Sequence, residues 1–243
     1  MTQQYKQTSG FTLVELMLSM AFVGILLVVI GMTTIHIMGT YTKGVTVREV
    51  NQAGRTISED IQRTIATTSP FKVTPAKTGD PLDEPDVKYV VQPGGGRLCT
   101  GAYTYAWNYG NTSELGGTSA TPAYNTYVDS EDIIRLVKVS DAGGVLCAEM
   151  TRDIERGQAK DFLLAGDRNL AVQEMTVSSD REDKASGQAL YAINFVIGTN
   201  DQEQIDASHA TCLPPSEGSG FEEFCAINQF SIIARAGNTS GSL

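Results

Sequence analysis

Between residues 11 and 38 the chain runs for 28 residues without a lysine or an arginine, and Glu15 is the single formal charge in that stretch. As an α-helix rising about 1.5 Å per residue the run is roughly 42 Å long. A bilayer core of about 30 Å needs only about 20 apolar residues. The segment can therefore span a membrane and still project beyond it. An acid inside an apolar span is costly, and such a residue is by default a functional group in search of a partner.

Three readings of this stretch differ in what they explain. A cleaved secretory signal carries an apolar region of about 7–15 residues followed by a small-residue cleavage site, and the run here is too long. A plain signal anchor fits the length, but gives no reason for Glu15 or for the abrupt junction at Gly10 and Phe11. The third reading rests on Gly10-Phe11-Thr12-Leu13-Val14-Glu15-Leu16, a polar leader at residues 1–10 whose one basic residue is Lys6, and the apolar run that follows. Together these resemble the amino terminus of type IV pilins and pseudopilins. The resemblance implies that a prepilin peptidase cuts after Gly10 and methylates the new amino terminus at Phe11. It also supplies a partner for Glu15, the Phe11 amine of a neighbouring subunit in a filament. A buried carboxylate alone is strongly penalised, while a paired one is tolerable, so the pair would act as a register device. The plainer alternative is that Glu15 reaches the headgroups from near the helix start.

At 243 residues the chain has room for a membrane segment and one sizeable soluble domain. It carries 18 basic and 28 acidic residues, a net charge of −10 that becomes −11 if the leader with Lys6 is removed. No Lys/Arg cluster appears, and an acidic chain does not favour phosphate binding, so nucleic acid is not an expected partner. Loop charge opposes the orientation that the resemblance requires. Lys6 is the one basic residue before the span, whereas Lys43, Arg48 and Arg55 follow it. The leader is nonetheless assigned to the cytoplasm, because pilin-type cleavage occurs there and the cysteines suit an exported head.

Cys99, Cys147, Cys212 and Cys225 all follow the span. An even number fits a disulfide framework in an oxidising compartment, with three possible pairings. The expected pairs are Cys99–Cys147 and Cys212–Cys225. The second closes a loop rich in Pro, Gly, Ser and Glu that resembles the carboxy-terminal disulfide loop of many pilins. A zinc site is the competing reading, but it needs close Cys/His pairs, and no C-x-x-C is present. His209 near Cys212 is one such pair and no more. His36, near the end of the apolar run, reads as an interfacial side chain rather than a ligand.

The helix is expected to continue past the membrane. Val50, Ala53, Ile57, Ile61 and Ile65 recur at three- and four-residue spacing, one face of a helix. Arg48, Gln52, Arg55, Glu59, Gln62 and Arg63 fill the other side. The helix should end near Thr67, since Pro70 disfavours helix at the residue before it. Gly24, Gly31, Gly39, Gly44 and Gly54 each cost about 1 kcal/mol relative to Ala. Many pilins carry a helix-weakening Gly and a Pro in this span; Gly24 matches the former, and residues 11–69 contain no Pro.

Residues 70–86 read as an acidic loop, because Pro and Gly break them and Asp80, Asp83, Glu84 and Asp86 follow no helical period. Oxygen ligands for calcium are conceivable there, but the EF-hand pattern is absent. Residues 87–92 look like a strand and Gly94, Gly95 and Gly96 like a turn. Tyr103, Tyr105, Trp107 and Tyr109 alternate along a strand, a pattern more common for sheet cover than for stacking a sugar or base. Residues 110–127 form a polar loop and a candidate exposed surface. Residues 133–139 and 145–151 form the clearest hairpin, and residues 152–169 are mixed. Residues 172–178 and 189–199 make a second hairpin, with Tyr191, Ile193, Phe195 and Ile197 on one face. Residues 226–236 form a last strand, with Phe230, Ile232 and Ala234 opposite Arg235, an ending that resembles the last strand of large minor pilins and of one large pseudopilin type.

The fold class that follows is α+β, a long amino-terminal helix packed on an antiparallel β-sheet head. The expected divisions are a leader at 1–10, a transmembrane and amphipathic helix at 11–69, and an exported head at 70–243. The resemblance implies a filament subunit, a minor pilin. Its partners would be other pilin subunits, the prepilin peptidase and an assembly platform in the membrane. The precursor would sit in the inner or cytoplasmic membrane and the assembled subunit at the cell surface or in the periplasm. A type II secretion or competence pseudopilin shares these arguments. A membrane-anchored enzyme is the contrasting class: there are two histidines, no Gly-x-Ser-x-Gly and no metal-ligand spacing, although carboxylates distant in sequence can meet in a fold. No catalytic residue, metal or cofactor is assigned.

Overall fold

The computed structural model describes residues 10, 12–71, 73, 89–116, 120–148, 153–163, 169–183, 188–200, 205–206, 211–213 and 225–237. The chain divides into two compact units, residues 1–44 and 45–243. Helix α1 (Leu13–Ala66) contributes to both. The leader ahead of Gly10, Phe11 and the acidic residues 80–86 lie outside the described residues.

In the first unit α1 is apolar and exposed. Leu13, Val14, Leu18 and Met20 are all at least 70% exposed. The helix is long and apolar enough to cross a membrane, with a mean hydropathy of 2.7 in its most apolar window. Its threonine hydroxyls are satisfied by bonding back to the preceding turn. Thr33 donates to Val29 O and Ile30 O, and Thr34 to Ile30 O.

In the second unit α1 is the spine of the head. Thr46, Val50, Gly54, Ile57, Ile61, Thr64 and Ile65 are buried, and their spacing of three and four is the expected apolar face. Arg48, Gln52, Arg55, Glu59, Gln62 and Arg63 are exposed, as amphipathicity requires. Burying each isoleucine contributes about 1.5–3 kcal/mol. The helix closes with Thr67 N–H donating to Thr64 O and Thr68 N–H to Ile65 O. Gly54 was expected to weaken the helix, and its position explains it: the Phe230 ring lies where a Cβ would stand.

Two sheets pack on this spine. The first has five antiparallel strands: β1 (Tyr89–Gln92), β2 (Gly95–Cys99), β3 (Tyr103–Asn108), β5 (Leu136–Ser140) and β7 (Ala159–Leu163), in that spatial order. The second places β9 (Gln188–Thr199) between β8 (Leu170–Asp183) and β12 (Ile227–Ala236). Two short pairs complete the described strands. β4 (Thr126–Tyr127) runs parallel to β6 (Asp153–Ile154), and β10 (Ile205–Asp206) runs antiparallel to β11 (Thr211–Cys212). The sheets and α1 share one core. It joins Ile57, Ile61 and Ile65 to Leu98, Tyr105, Trp107 and Leu136 of the first sheet and to Tyr191, Ile193, Phe195 and Ile197 of the second.

Several expectations are corrected. Gly95 and Gly96 belong to β2 rather than to a turn, since a Cβ on either would overlap Trp107 of the adjacent strand. Residues 145–148 form a short helix, α2 (Val145–Ala148), not the second arm of a hairpin. Asp141 accepts hydrogen bonds from the N–H groups of Val145 and Leu146, which turns the chain and brings Cys147 to Cys99. β5 pairs instead with β3 and β7. The polar stretch 110–127 is largely pinned down: Thr112, Leu115, Ala123, Tyr124 and Asn125 are buried. The hairpin of β8 and β9 and the last strand β12 stand as read, the hairpin longer than expected.

Candidate functional site

The site that the sequence singles out begins at the helix start. Gly10 is exposed and Phe11 lies outside the described residues. Thr12 caps α1: its hydroxyl accepts the Glu15 N–H at 3.3 Å, and its carbonyl accepts the Leu16 N–H at 3.2 Å. Thr12-Leu13-Val14-Glu15 thus has the spacing of a capping box, in which a Thr oxygen takes up an orphan N–H three residues on. Sequence reasoning missed this, although a Thr-x-x-Glu ahead of an apolar run is the signal for it. Glu15 is exposed, in the first turn, where the helix dipole favours negative charge. Among the described residues its carboxylate has no ion-pair partner. Its apolar neighbours Leu13, Val14, Leu16 and Leu18 are exposed as well.

The four cysteines form two bridges. Cys99 and Cys147 have Cα atoms 6.2 Å apart, and Cys212 and Cys225 5.8 Å apart. The first bridge ties β2 to α2. The second joins the end of β11 to the residues ahead of β12. His209 lies outside the described residues, and no group of three or more His, Cys, Asp and Glu among the described ones is placed to hold a metal ion.

A polar cluster that sequence reasoning did not find links α1 to the first sheet. Asp60 Oδ2 accepts from the Tyr105 hydroxyl at 2.5 Å and from Lys138 Nζ at 2.8 Å. Lys138 also donates to Thr64 Oγ1 at 2.7 Å, and Lys160 approaches Asp60 Oδ1 at 3.5 Å. The Lys138 ammonium stands 4.3 Å from the centre of the Tyr103 ring and 5.5 Å from that of Tyr105. Burial pulls the Asp60 carboxyl up, but hydrogen bonds from Lys138 and Tyr105 and the charges of Lys138 and Lys160 outweigh it, leaving the group below its ordinary value. Burial, with Asp60 beside it, pushes the Tyr105 phenol up, so it stays a donor. Lys138 and its cross-strand partner Lys160 bring charge to the face that meets α1, a signal visible only once β5 and β7 are known to pair. Through Asp60 and Thr64 the cluster clamps α1 to β3, β5 and β7.

The aromatic row resolves the same way. Tyr105 and Trp107 are fully buried in the core shared with α1, while Tyr103 is 41% exposed, so the middle of the row is core and its first ring reaches the surface. No family model, curated protein or solved structure matches the chain.

Proposed function

We propose that the chain is a structural subunit of a type IV pilin-like filament, a minor pilin. It would be cut after Gly10 and methylated at Phe11 by a prepilin peptidase, and assembled through α1. The observation that carries this reading is the exposed apolar part of α1, residues 13–42, whose one charge, Glu15, stands in the first turn, five residues from Gly10. A generic anchor uses that carboxylate only at a helix start, whereas a filament with a free amino terminus at Phe11 gives it a counter-charge. The head supports the reading differently. Its sheets are built on the continuation of the same helix, so a filament core made of helices would carry the head with it.

Mass spectrometry of the amino-terminal peptide, from native membranes and from sheared surface filaments, tests the proposal. The expected result is a chain beginning at N-methylated Phe11 and present in the sheared fraction. An intact leader in the mature protein would refute it and leave a plain anchor. Processed protein confined to the membrane fraction would shift the reading to a secretion pseudopilus.

A further inference from the structure

The two disulfides differ in their surroundings. Cys99 and Cys147 are 0% and 2% exposed, packed with Val90 and Tyr124. Cys212 and Cys225 are only partly buried, and both line a cavity of about 400 Å³. Val47, Val50 and Ile227 give it apolar walls, and Asn51 and Asn228 bring their amides to it. The two amides are joined, with Asn228 Nδ2 donating to Asn51 Oδ1 at 2.6 Å. The volume falls within the range of sites that hold small molecules.

We infer that Cys212–Cys225 is a thiol-exchange site, reached from this cavity by a small peptide-like thiol, while Cys99–Cys147 is closed to exchange. Disulfides are attacked by thiolates, and access to sulfur decides which bridge reacts. The apolar walls accept the aliphatic part of such a thiol, and the asparagines match its peptide groups. In the step, an incoming thiolate bonds to one sulfur of the bridge. The Cys212–Cys225 bond breaks, and its electron pair leaves on the other sulfur as a thiolate that takes up a proton. The product is a mixed disulfide and one free cysteine, with no other oxidant or reductant involved. Cys225 stands just ahead of β12, so exchange releases the start of that strand from β11. This inference is independent of the filament reading.

The test treats the full-length chain in detergent micelles with reduced glutathione, quenches with N-ethylmaleimide and maps the cysteines by peptide mass spectrometry. Mixed disulfide at Cys212 or Cys225 should form at least about ten times faster than at Cys99 or Cys147, because the buried bridge needs a local opening first. Equal rates, first attack at Cys99–Cys147, or no reaction at either bridge would overturn the inference. Val47→Trp narrows the cavity from its exposed edge and should slow exchange by about tenfold without lowering the melting temperature. An unchanged rate in that variant would show that attack does not pass through the cavity. Asn51→Asp gives a second check independent of packing. A carboxylate there should slow anionic glutathione about threefold relative to neutral 2-mercaptoethanol, and an unchanged ratio would count against the site.

Discussion

The Phe230 ring of β12 occupies the space that a side chain at Gly54 of α1 would need. The same ring stacks on Phe195 of the adjacent strand, centroids 5.2 Å apart. One glycine thus lets an aromatic pair sit directly on the helix backbone, and this offsets what glycine costs the helix.

Gly54→Ala should therefore destabilise the head, despite improving helix propensity, by about 1–3 kcal/mol. Thermal unfolding of the variant measures this. Phe230→Leu in the same chain should recover part of the loss, and additive effects would mean that the two residues are not coupled.

The clamp between α1 and the first sheet gives a pH dependence. The Asp60 carboxyl is held below its ordinary value of 3.8. A lowered folded pKa contributes stability that is present above the unfolded value and is lost as pH falls through the folded one. Stability should thus be constant near neutrality and decline below about pH 4. Asp60→Asn should flatten that decline and cost about 1–3 kcal/mol at pH 7, since the Lys138 amine is left without its counter-charge. An unchanged acid limb in urea titrations at pH 3 and pH 7 would remove Asp60 from this role.

The bridges should differ in what they contribute. Cys99–Cys147 spans a sequence separation of 48 and Cys212–Cys225 one of 13. Loop entropy alone makes the longer bridge about 1 kcal/mol more stabilising. Urea unfolding of Cys99→Ser with Cys147→Ser, against Cys212→Ser with Cys225→Ser, should show the first pair of changes to be the more damaging. The reverse order would mean that packing around the second bridge outweighs chain entropy.

Thr12 and Glu15 separate two roles at the start of α1. Thr12→Ala removes the cap alone and should cost about 1 kcal/mol at the helix end, leaving filament incorporation near that of the natural chain. On the proposed filament reading, Glu15→Ala should leave cleavage intact and reduce incorporation about tenfold or more, because the Phe11 amine would lose its counter-charge in an apolar core. Equal effects of the two substitutions, scored by immunoblot of sheared filaments, would reduce Glu15 to a helix-start residue.

The helix was legible because its signals are local: an apolar run, a three-and-four stripe at Val50, Ile57, Ile61 and Ile65, and Pro70 beyond its end. The β8–β9 hairpin was legible for the same reason, with Tyr191, Ile193, Phe195 and Ile197 at period two. Partitioning into two sheets was not, because a strand's neighbours depend on pairings far apart in sequence. β7 was missed, since Lys160, Asp161 and Phe162 show no clean alternation. α2 looked like a strand because Val145, Leu146 and Cys147 are an apolar run behind a turn signal at Asp141, Gly143 and Gly144, and the hydrogen bonds of Asp141 close a helical turn there instead. At the candidate site Glu15 is legible as a lone charge, while its N–H bond to Thr12 depends on where the helix begins, which an unbroken apolar run does not mark.

Two buried amides have a practical consequence. Asn108 accepts the N–H groups of Tyr124 and Asn125 and donates to the carbonyls of Asn125 and Ile134. Asn125 in turn accepts from Arg97 and donates to Trp107 O. All of these but the Arg97 contact grip backbone, so they are indifferent to which side chains lie between the anchor points. Residues 128–133, mostly exposed, run between Asn125 and Ile134 like a cable between two pylons, stayed to Ile154 and Arg156 by Val128, Asp129, Ser130 and Asp132. A short foreign peptide inserted between Glu131 and Asp132 would leave both pylons standing, and the head would serve as a display scaffold.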